Sequence, residues 1–361
     1  MNILCVIDSL GSGGAQRQLV NLAVAFKEKG HEVYFLVYHD DPFYNEVLNS
    51  HGISIILVRE KSYIKRIFKM RKIIHSGNYD SVLSFLEAAS FICEISSFPI
   101  RRWSLIVGER SANPAILTSF KLRFFRWFHF FANEVVANSN ENIKMVRKVN
   151  PLLSRKKLHV IYNFIDFEKW KPNQNNYQFR KNKKFNLIVV ASHQYLKNLN
   201  GLVEATHLLS GAEKKQLAIH WYGGERLDNS KNEALVKIKE YELTGIFHFY
   251  DPTIEIAAKV NEADALGLFS FYEGLPNVVC EAMVNSKPII SSAISDVPLF
   301  LNEEFTFDPK DFEDIAAKIR LLLQLDEKSL KEIGDSNRKV ALTNFSKEDI
   351  VKNYLSLMKN K

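Results

Sequence analysis

Apolar and polar positions follow two rhythms along this chain. Short, nearly unbroken apolar runs, NILCVI (2–7) and HEVYFLVY (31–38), flank the segment AQRQLVNLAVAFKEK (15–29). There Leu19, Leu22, Ala23 and Phe26 recur at helical spacing, and Gly30 marks the stop. Strands that read as continuous apolar runs are buried on both faces, as in parallel sheets, so the first forty residues predict one β-α-β unit. Further strand-like runs follow at 53–58, 81–86, 104–108, 134–139 and 158–163. The polar, basic stretch FEKWKPNQNNYQFRKNKKF (167–185) then breaks the pattern in the manner of a linker. The alternation restarts with runs at 186–192, 217–223, 246–250, 265–270 and 288–292. The pattern predicts an α/β chain with two parallel-sheet domains joined near residue 170.

Composition narrows the function. With 361 residues, 46% hydrophobic and 25% charged, the chain has ample material for two cores. Cys5, Cys93 and Cys280 have no paired spacing, so neither a disulfide framework nor a cysteine zinc site is expected, and a reducing cytoplasmic setting fits. Asp8 interrupts the first apolar run and no basic region precedes it, which argues against a secretory signal. The most apolar later stretch, 81–107, is broken by Glu87, Glu94, Arg101 and Arg102, so no spanning helix is expected. A formal charge of +7 points to anionic partners. No nucleic-acid recognition motif or base-stacking platform accompanies it, so nucleic acid is not an expected partner. A noncatalytic binder of anionic surfaces stays open.

The densest chemistry lies in FYEGLPNVVCEAMVNSKPII (271–290). The run 265–270 predicts a strand, FYEGLPN the turn at its carboxyl end, and VVCEAMVNS a helix capped by Asn277. Ligands of open α/β sheets bind in that crevice, and a helix start offers free N–H groups to anions. Glu281 stands about one turn into the helix and leans back toward its start, while Glu273 faces the same space from the turn. Two carboxylates accept hydrogen bonds only, so beside phosphate-ready amides they suit a ligand rich in hydroxyls that also carries phosphate: a sugar nucleotide. Gly13 and Gly14 open the first helix, where backbone amides can approach a phosphate or sugar closely. Lys197, after the first strand of the second domain, is placed to neutralise a leaving diphosphate. An NAD(P)-dependent oxidoreductase is the rival enzyme reading, from GSGGAQ with Asp40 as ribose acid. It puts Gln16 where a small residue belongs and leaves Glu273 and Glu281 without a role.

EGLPNVVCEAM resembles the E-x7-E motif of the retaining glycosyltransferase family 4, of bacterial surface-glycan type. GGAQRQLVNLAVAFKEKGHEV, VIYNFID, KNLNGLVEA and ALTNFSKEDIVKNY resemble further segments of that family, so the likeness covers nearly the whole chain. It implies the GT-B fold: two Rossmann-like domains with parallel sheets facing across a cleft. The first domain would span 1–168, on the acceptor side, the second 169–340, on the donor side, and 341–361 would be a closing helix returning to the first. By the resemblance Glu281 binds the ribose hydroxyls and Glu273 the donor sugar. Gly274, Leu275, Pro276 and Asn277 contact sugar and phosphates, and Lys197 holds the diphosphate. The chain departs from the family in two places. Ser192 and His193 stand where many members carry an arginine, and Arg110, beside Glu109, stands in place of a histidine. Glu109 and Arg110 are therefore expected as acceptor-side or transition-state contacts, with no general base assigned. No covalent nucleophile is implied, so the expected mechanism is retaining front-face displacement without metal or cofactor. The expected donor is a UDP-sugar, and the expected acceptor a lipid-linked glycan of O-antigen, capsule or similar biosynthesis.

Two segments predict contact with an anionic membrane at the inner face of the plasma membrane. REKSYIKRIFKMRKIIH (59–75) places Tyr63, Ile67, Met70 and Ile74 on one stripe and Lys65, Lys69 and Lys72 on another. FKLRFFRWFHFF (120–131) packs seven aromatics around Lys121, Arg123 and Arg126.

Overall fold

The computed structural model describes residues 1–173, 175, 177–226 and 228–359. Positions 174 and 176 of the expected linker and 360–361 of the expected closing helix lie outside the described residues. The chain forms two compact units, Met1–Phe164 with Lys347–Lys361, and Ile165–Ser346.

The first unit is built on seven parallel strands: β1 (Asn2–Val6), β2 (Glu32–Val37), β3 (Ser54–Leu57), β4 (Ser81–Phe85), β5 (Ser104–Glu109), β6 (Glu134–Ala137) and β7 (Leu158–Val160). Their spatial order is β3-β2-β1-β4-β5-β6-β7. Successive strand residues face opposite sides, so Ile3 and Cys5 join a core with Leu19, Phe26, Phe35 and Phe85, whereas Leu4 and Val6 join Met70, Ile74, Val82 and Leu105 beneath. Helix Lys347–Met358 completes the first of these cores with Ile350, Val351, Tyr354 and Met358.

The second unit carries six parallel strands: β8 (Phe185–Val190), β9 (Leu217–Tyr222), β10 (Phe247–Tyr250), β11 (Ala265–Leu268), β12 (Ile289–Ser292) and β13 (Thr306–Phe307), in the order β10-β9-β8-β11-β12-β13. Leu187, Ile219, Trp221, Phe269 and Ile290 anchor its main core.

Three expectations are corrected. The closing segment is two helices, because Glu327–Asn344 runs on past position 341 within the second unit, and Phe345, fully buried, separates it from Lys347–Met358. Helix Asn277–Val284 begins at Asn277 itself, with Pro276 in the capping position (φ −73°, ψ 101°) and no capping side chain. In helix Tyr63–Ser76 the stripe expected on a membrane is partly core: Met70 and Ile74 are fully buried against the sheet, while Tyr63 of that stripe is exposed together with Ile64 and Phe68.

Candidate functional site

In the second unit the carboxyl ends of β8 and β11, neighbours in the sheet, carry the two loops that matter. After β8 a tight turn, Tyr195–Lys197, leads to Asn198, which adopts left-handed geometry (φ 57°, ψ 40°). Asparagine tolerates that conformation better than most residues because its short amide bonds locally. Here the side chain accepts from Gly201 N–H at 3.1 Å and donates to the Pro309 carbonyl at 2.8 Å, which fixes the direction in which Lys197 leaves the turn. After β11, Phe271 N–H donates to the Leu196 carbonyl at 3.0 Å and ties the second loop to the first.

That tie brings Lys197 and Glu273 together. The Lys197 ammonium donates to Glu273 Oε1, and Ser270 Oγ donates to the same oxygen at 2.8 Å. Glu273 Oε2 has no hydrogen bond to the described residues. Both side chains keep under a fifth of their surface exposed, which lowers the local dielectric without sealing the pair from a ligand. Glu281, 7% exposed, stands one helical turn beyond the start of Asn277–Val284. The arrangement offers a cation for phosphate, carboxylate oxygen for hydroxyls and an uncapped helix start.

His193 belongs to the fold of this loop. Its ring, 3% exposed, stacks on Trp221 at 5.6 Å between centroids, and burial, with Lys231 nearby, pulls its pKa down to about 4. A neutral, buried imidazole gives no charge to a phosphate. The second loop's partner Ser270 escaped sequence reasoning because a serine next to a turn carries no signal of its own.

In the first unit Gly13 precedes helix Gly14–Glu28 without any side-chain cap, and no acidic residue occupies the first turn, so the helix start is open to an anion. A Cβ on Gly13 would stand 2.1 Å from Gln16 Oε1, and that amide is engaged with Asp8 through Nε2 at 3.0 Å. Asp40 is exposed and paired with Arg59 at 2.8 Å.

Glu109 and Arg110 part company. Arg110 packs its guanidinium 3.7 Å from the Phe85 ring centroid and donates to Asn163 Oδ1 at 3.2 Å and to the Tyr354 hydroxyl. Glu109, 5% exposed, turns inward to Arg126 at 2.7 Å and to His129 Nε2 at 2.9 Å, so the expected acceptor-side role for this carboxylate gives way to a structural one. The other ring nitrogen of His129 lies 2.6 Å from Glu94, and Arg126 also reaches Glu87 at 3.3 Å.

This buried cluster makes stability depend on pH. Burial alone would lower the His129 pKa, but Glu94 and Glu109 attract its charge and accept its N–H groups, raising it from 6.5 to about 9. Burial opposes ionisation of Glu109, but Arg126 and His129 overcome it and hold the pKa at about 2, below its ordinary 4.5. The histidine contribution is complete below pH 6.5 and is lost as the pH rises through 9; the Glu109 contribution is complete above pH 4.5 and is lost as the pH falls toward 2. We expect denaturant midpoints to fall between pH 6.5 and 9, and His129→Gln to flatten that fall. An unaltered slope in the variant would contradict the assignment.

Comparison with known proteins bears on the whole chain. The model described as Glycosyltransferase Family 4 matches residues 12–169, and that described as Glycosyl transferases group 1 matches 171–340. A stretch of 134 residues is 34% identical to the Campylobacter jejuni GalNAc-alpha-(1->4)-GalNAc-alpha-(1->3)-diNAcBac-PP-undecaprenol alpha-1,4-N-acetyl-D-galactosaminyltransferase, covering 35% of this chain and 36% of that protein. Among solved structures, Anabaena HepE in complex with UDP superposes with a TM-score of 0.87 at 18% identity over 100% of both chains. Sucrose-phosphate synthase from Thermosynechococcus elongatus gives 0.81 at 16% identity, over 99% of this chain and 98% of that one. At these identities the structural likeness speaks for the fold. With a group-specific model on each unit and the GT-B architecture throughout, the chain belongs to glycosyltransferase family 4.

Proposed function

We propose that this glycosyltransferase moves a hexosyl or N-acetylhexosaminyl group, with retention, from a UDP-sugar to a lipid-linked glycan in bacterial surface-glycan synthesis such as that of O-antigen or capsule. The observation that carries the reading is the meeting of Lys197 and Glu273 beside the uncapped helix that bears Glu281. The two charges hold each other. An arriving diphosphate competes for Lys197, and Glu273 is released to accept donor-sugar hydroxyls. Glu281 takes the ribose hydroxyls. Gly274 to Asn277 supply backbone contacts to the donor, and in the first unit Arg110 serves the acceptor.

Chemistry then needs little beyond positioning. The leaving diphosphate, neutralised by Lys197 and the helix start, takes the proton of the attacking acceptor hydroxyl on the same face of the sugar, without metal or cofactor. The UDP preference draws support from the structural neighbour that holds UDP, and the lipid-linked acceptor from the Campylobacter relative, whose name specifies a diphosphate-undecaprenol substrate.

A lipid acceptor calls for a membrane surface, and the first unit offers one. Phe120, Phe124, Trp127, Phe130 and Phe131 are exposed, while Phe125, Arg126 and His129 of the same segment face inward. Arg123 lines a 400 Å³ hollow with Phe120, Phe124 and Trp127, and Lys65 and Lys72 stand exposed on helix Tyr63–Ser76. No described helix is long and apolar enough to cross a membrane. The attachment in this reading is peripheral, at the cytoplasmic leaflet, through these aromatics and cations.

One assay tests the reading. Purified protein is incubated with anionic vesicles containing a polyprenyl-diphosphate-linked oligosaccharide and a panel of labelled sugar nucleotides. Expected are transfer from at least one UDP-sugar with the anomeric configuration kept, and co-flotation of the protein with the vesicles. Inversion, a requirement for another nucleotide, or protein left wholly in the aqueous fraction would each overturn the corresponding part.

A further inference from the structure

The loop after β12 makes one contact that the donor-site residues named so far do not explain. Ser295 sits in the left-handed region at φ 51°, a conformation that glycine adopts freely and serine does not. Its hydroxyl donates to the carbonyl of Gly274, in the middle of the turn that follows Glu273. β11 and β12 are adjacent parallel strands, so the two loops leave the sheet side by side, and this bond joins them. Strained residues persist where the surrounding structure insists on them, and they cluster at binding sites.

The bond has a directional consequence. A trans peptide sets its C=O and N–H antiparallel, so fixing the Gly274 carbonyl toward Ser295 aims the Leu275 N–H the opposite way. Gly274 and Leu275 are both buried, and neither N–H has a hydrogen-bond partner among the described residues. Backbone donors seek partners, and here two that have none among the described residues stand in succession beside Glu273, whose Oε2 is likewise unengaged by the described residues. An oxygen-rich ligand would satisfy them.

We propose that Ser295 is a positioning residue for the donor: by holding the Gly274 carbonyl, it presents the Leu275 N–H to an oxygen of the nucleotide-sugar's diphosphate. The inference rests on the donor-site reading above and adds to it a residue from a different loop. Ser295 touches no reacting atom. It acts through the orientation of one peptide plane, so its loss weakens donor binding more than turnover.

The test compares the wild type with Ser295→Ala and Ser295→Gly, measuring UDP affinity by calorimetry, donor KM and kcat, and thermal melting. Alanine removes the hydroxyl and keeps the backbone penalty; glycine removes both. Expected is about a tenfold loss of UDP affinity and a similar rise in donor KM in both variants, with kcat changed less than KM. Ser295→Gly should melt at or above Ser295→Ala. Wild-type UDP affinity and KM in Ser295→Gly would overturn the proposal while leaving the donor site in place. A wild type that binds no nucleoside diphosphate would overturn the donor-site reading itself, and this proposal with it.

Discussion

Replacing Arg126 by methionine should cost the first unit about 3–5 kcal/mol of stability, the largest loss expected from any single substitution here. Arg126 is fully buried, and its guanidinium faces Glu109 at 2.7 Å and Glu87 at 3.3 Å while donating to the Leu122 carbonyl at 2.9 Å. Methionine fills similar space and supplies no charge, so Glu109 remains ionised against its burial with only His129 as counterion. The penalty is that of the orphaned carboxylate and not a measure of the pair's net worth. It follows that Arg126→Met with Glu109→Gln should be more stable than Arg126→Met alone, a coupling that a double-mutant cycle reads directly. Chemical denaturation of the three variants checks this. A loss under about 1 kcal/mol in the single variant, or strict additivity in the double, would mean that the cluster is not a unit.

Glu273→Ala should reduce kcat/KM for transfer by about 10- to 100-fold, the range of one charge-assisted hydrogen bond, with the fold intact. Lys197→Ala should fall at least as far, because it removes the cation expected at the leaving diphosphate. The two side chains touch, so their effects should not add: with Glu273 gone, Lys197 loses the partner that directs it, and the double variant should lose less than the product of the single losses. Glu281→Gln, which keeps the shape and removes the charge, should impair donor binding in the same range. Activity measured against donor concentration, with circular dichroism as the control for folding, decides the matter. Near-normal kcat/KM in both Glu273→Ala and Glu281→Gln would remove these residues from the site.

What was legible in the sequence is what is local. Runs such as NILCVI and LAIHWYG announce β1 and β9 because a strand covered on both faces needs no partner to be recognised. β13 escaped because Thr306 and Phe307, two residues long, have no period to read. The turn and helix holding Glu273 and Glu281 were readable since one contiguous stretch carries both. Glu109 misled because it stands next to Arg110: neighbours at a strand end point to opposite sides, Glu109 into the core toward Arg126 and Arg110 toward Tyr354. The partners themselves, Arg126, His129 and Tyr354, come from 17, 20 and 244 positions away. No short pattern encodes such distances, and the same limit hid Ser295, 21 positions from Gly274. The basic stripe of 59–75 shows the converse error, since helical spacing reveals an apolar face without saying what covers it, and for Met70 and Ile74 the cover is the sheet.

The discontinuity of the first unit has a consequence for the order in which the protein is made. Its core is finished by Ile350, Val351, Tyr354 and Met358, which follow the whole of the second unit in the chain. On the ribosome, strands β1 to β7 emerge before the second unit but wait for residues translated after it, while Ile165–Ser346 carries all its own strands in one uninterrupted stretch. The later half should therefore reach its native state before the earlier one. Until helix Lys347–Met358 has been made, the first sheet lacks the cover over Phe26 and the hydroxyl for Arg110, and nascent chains are then most open to holdase chaperones and to proteolysis.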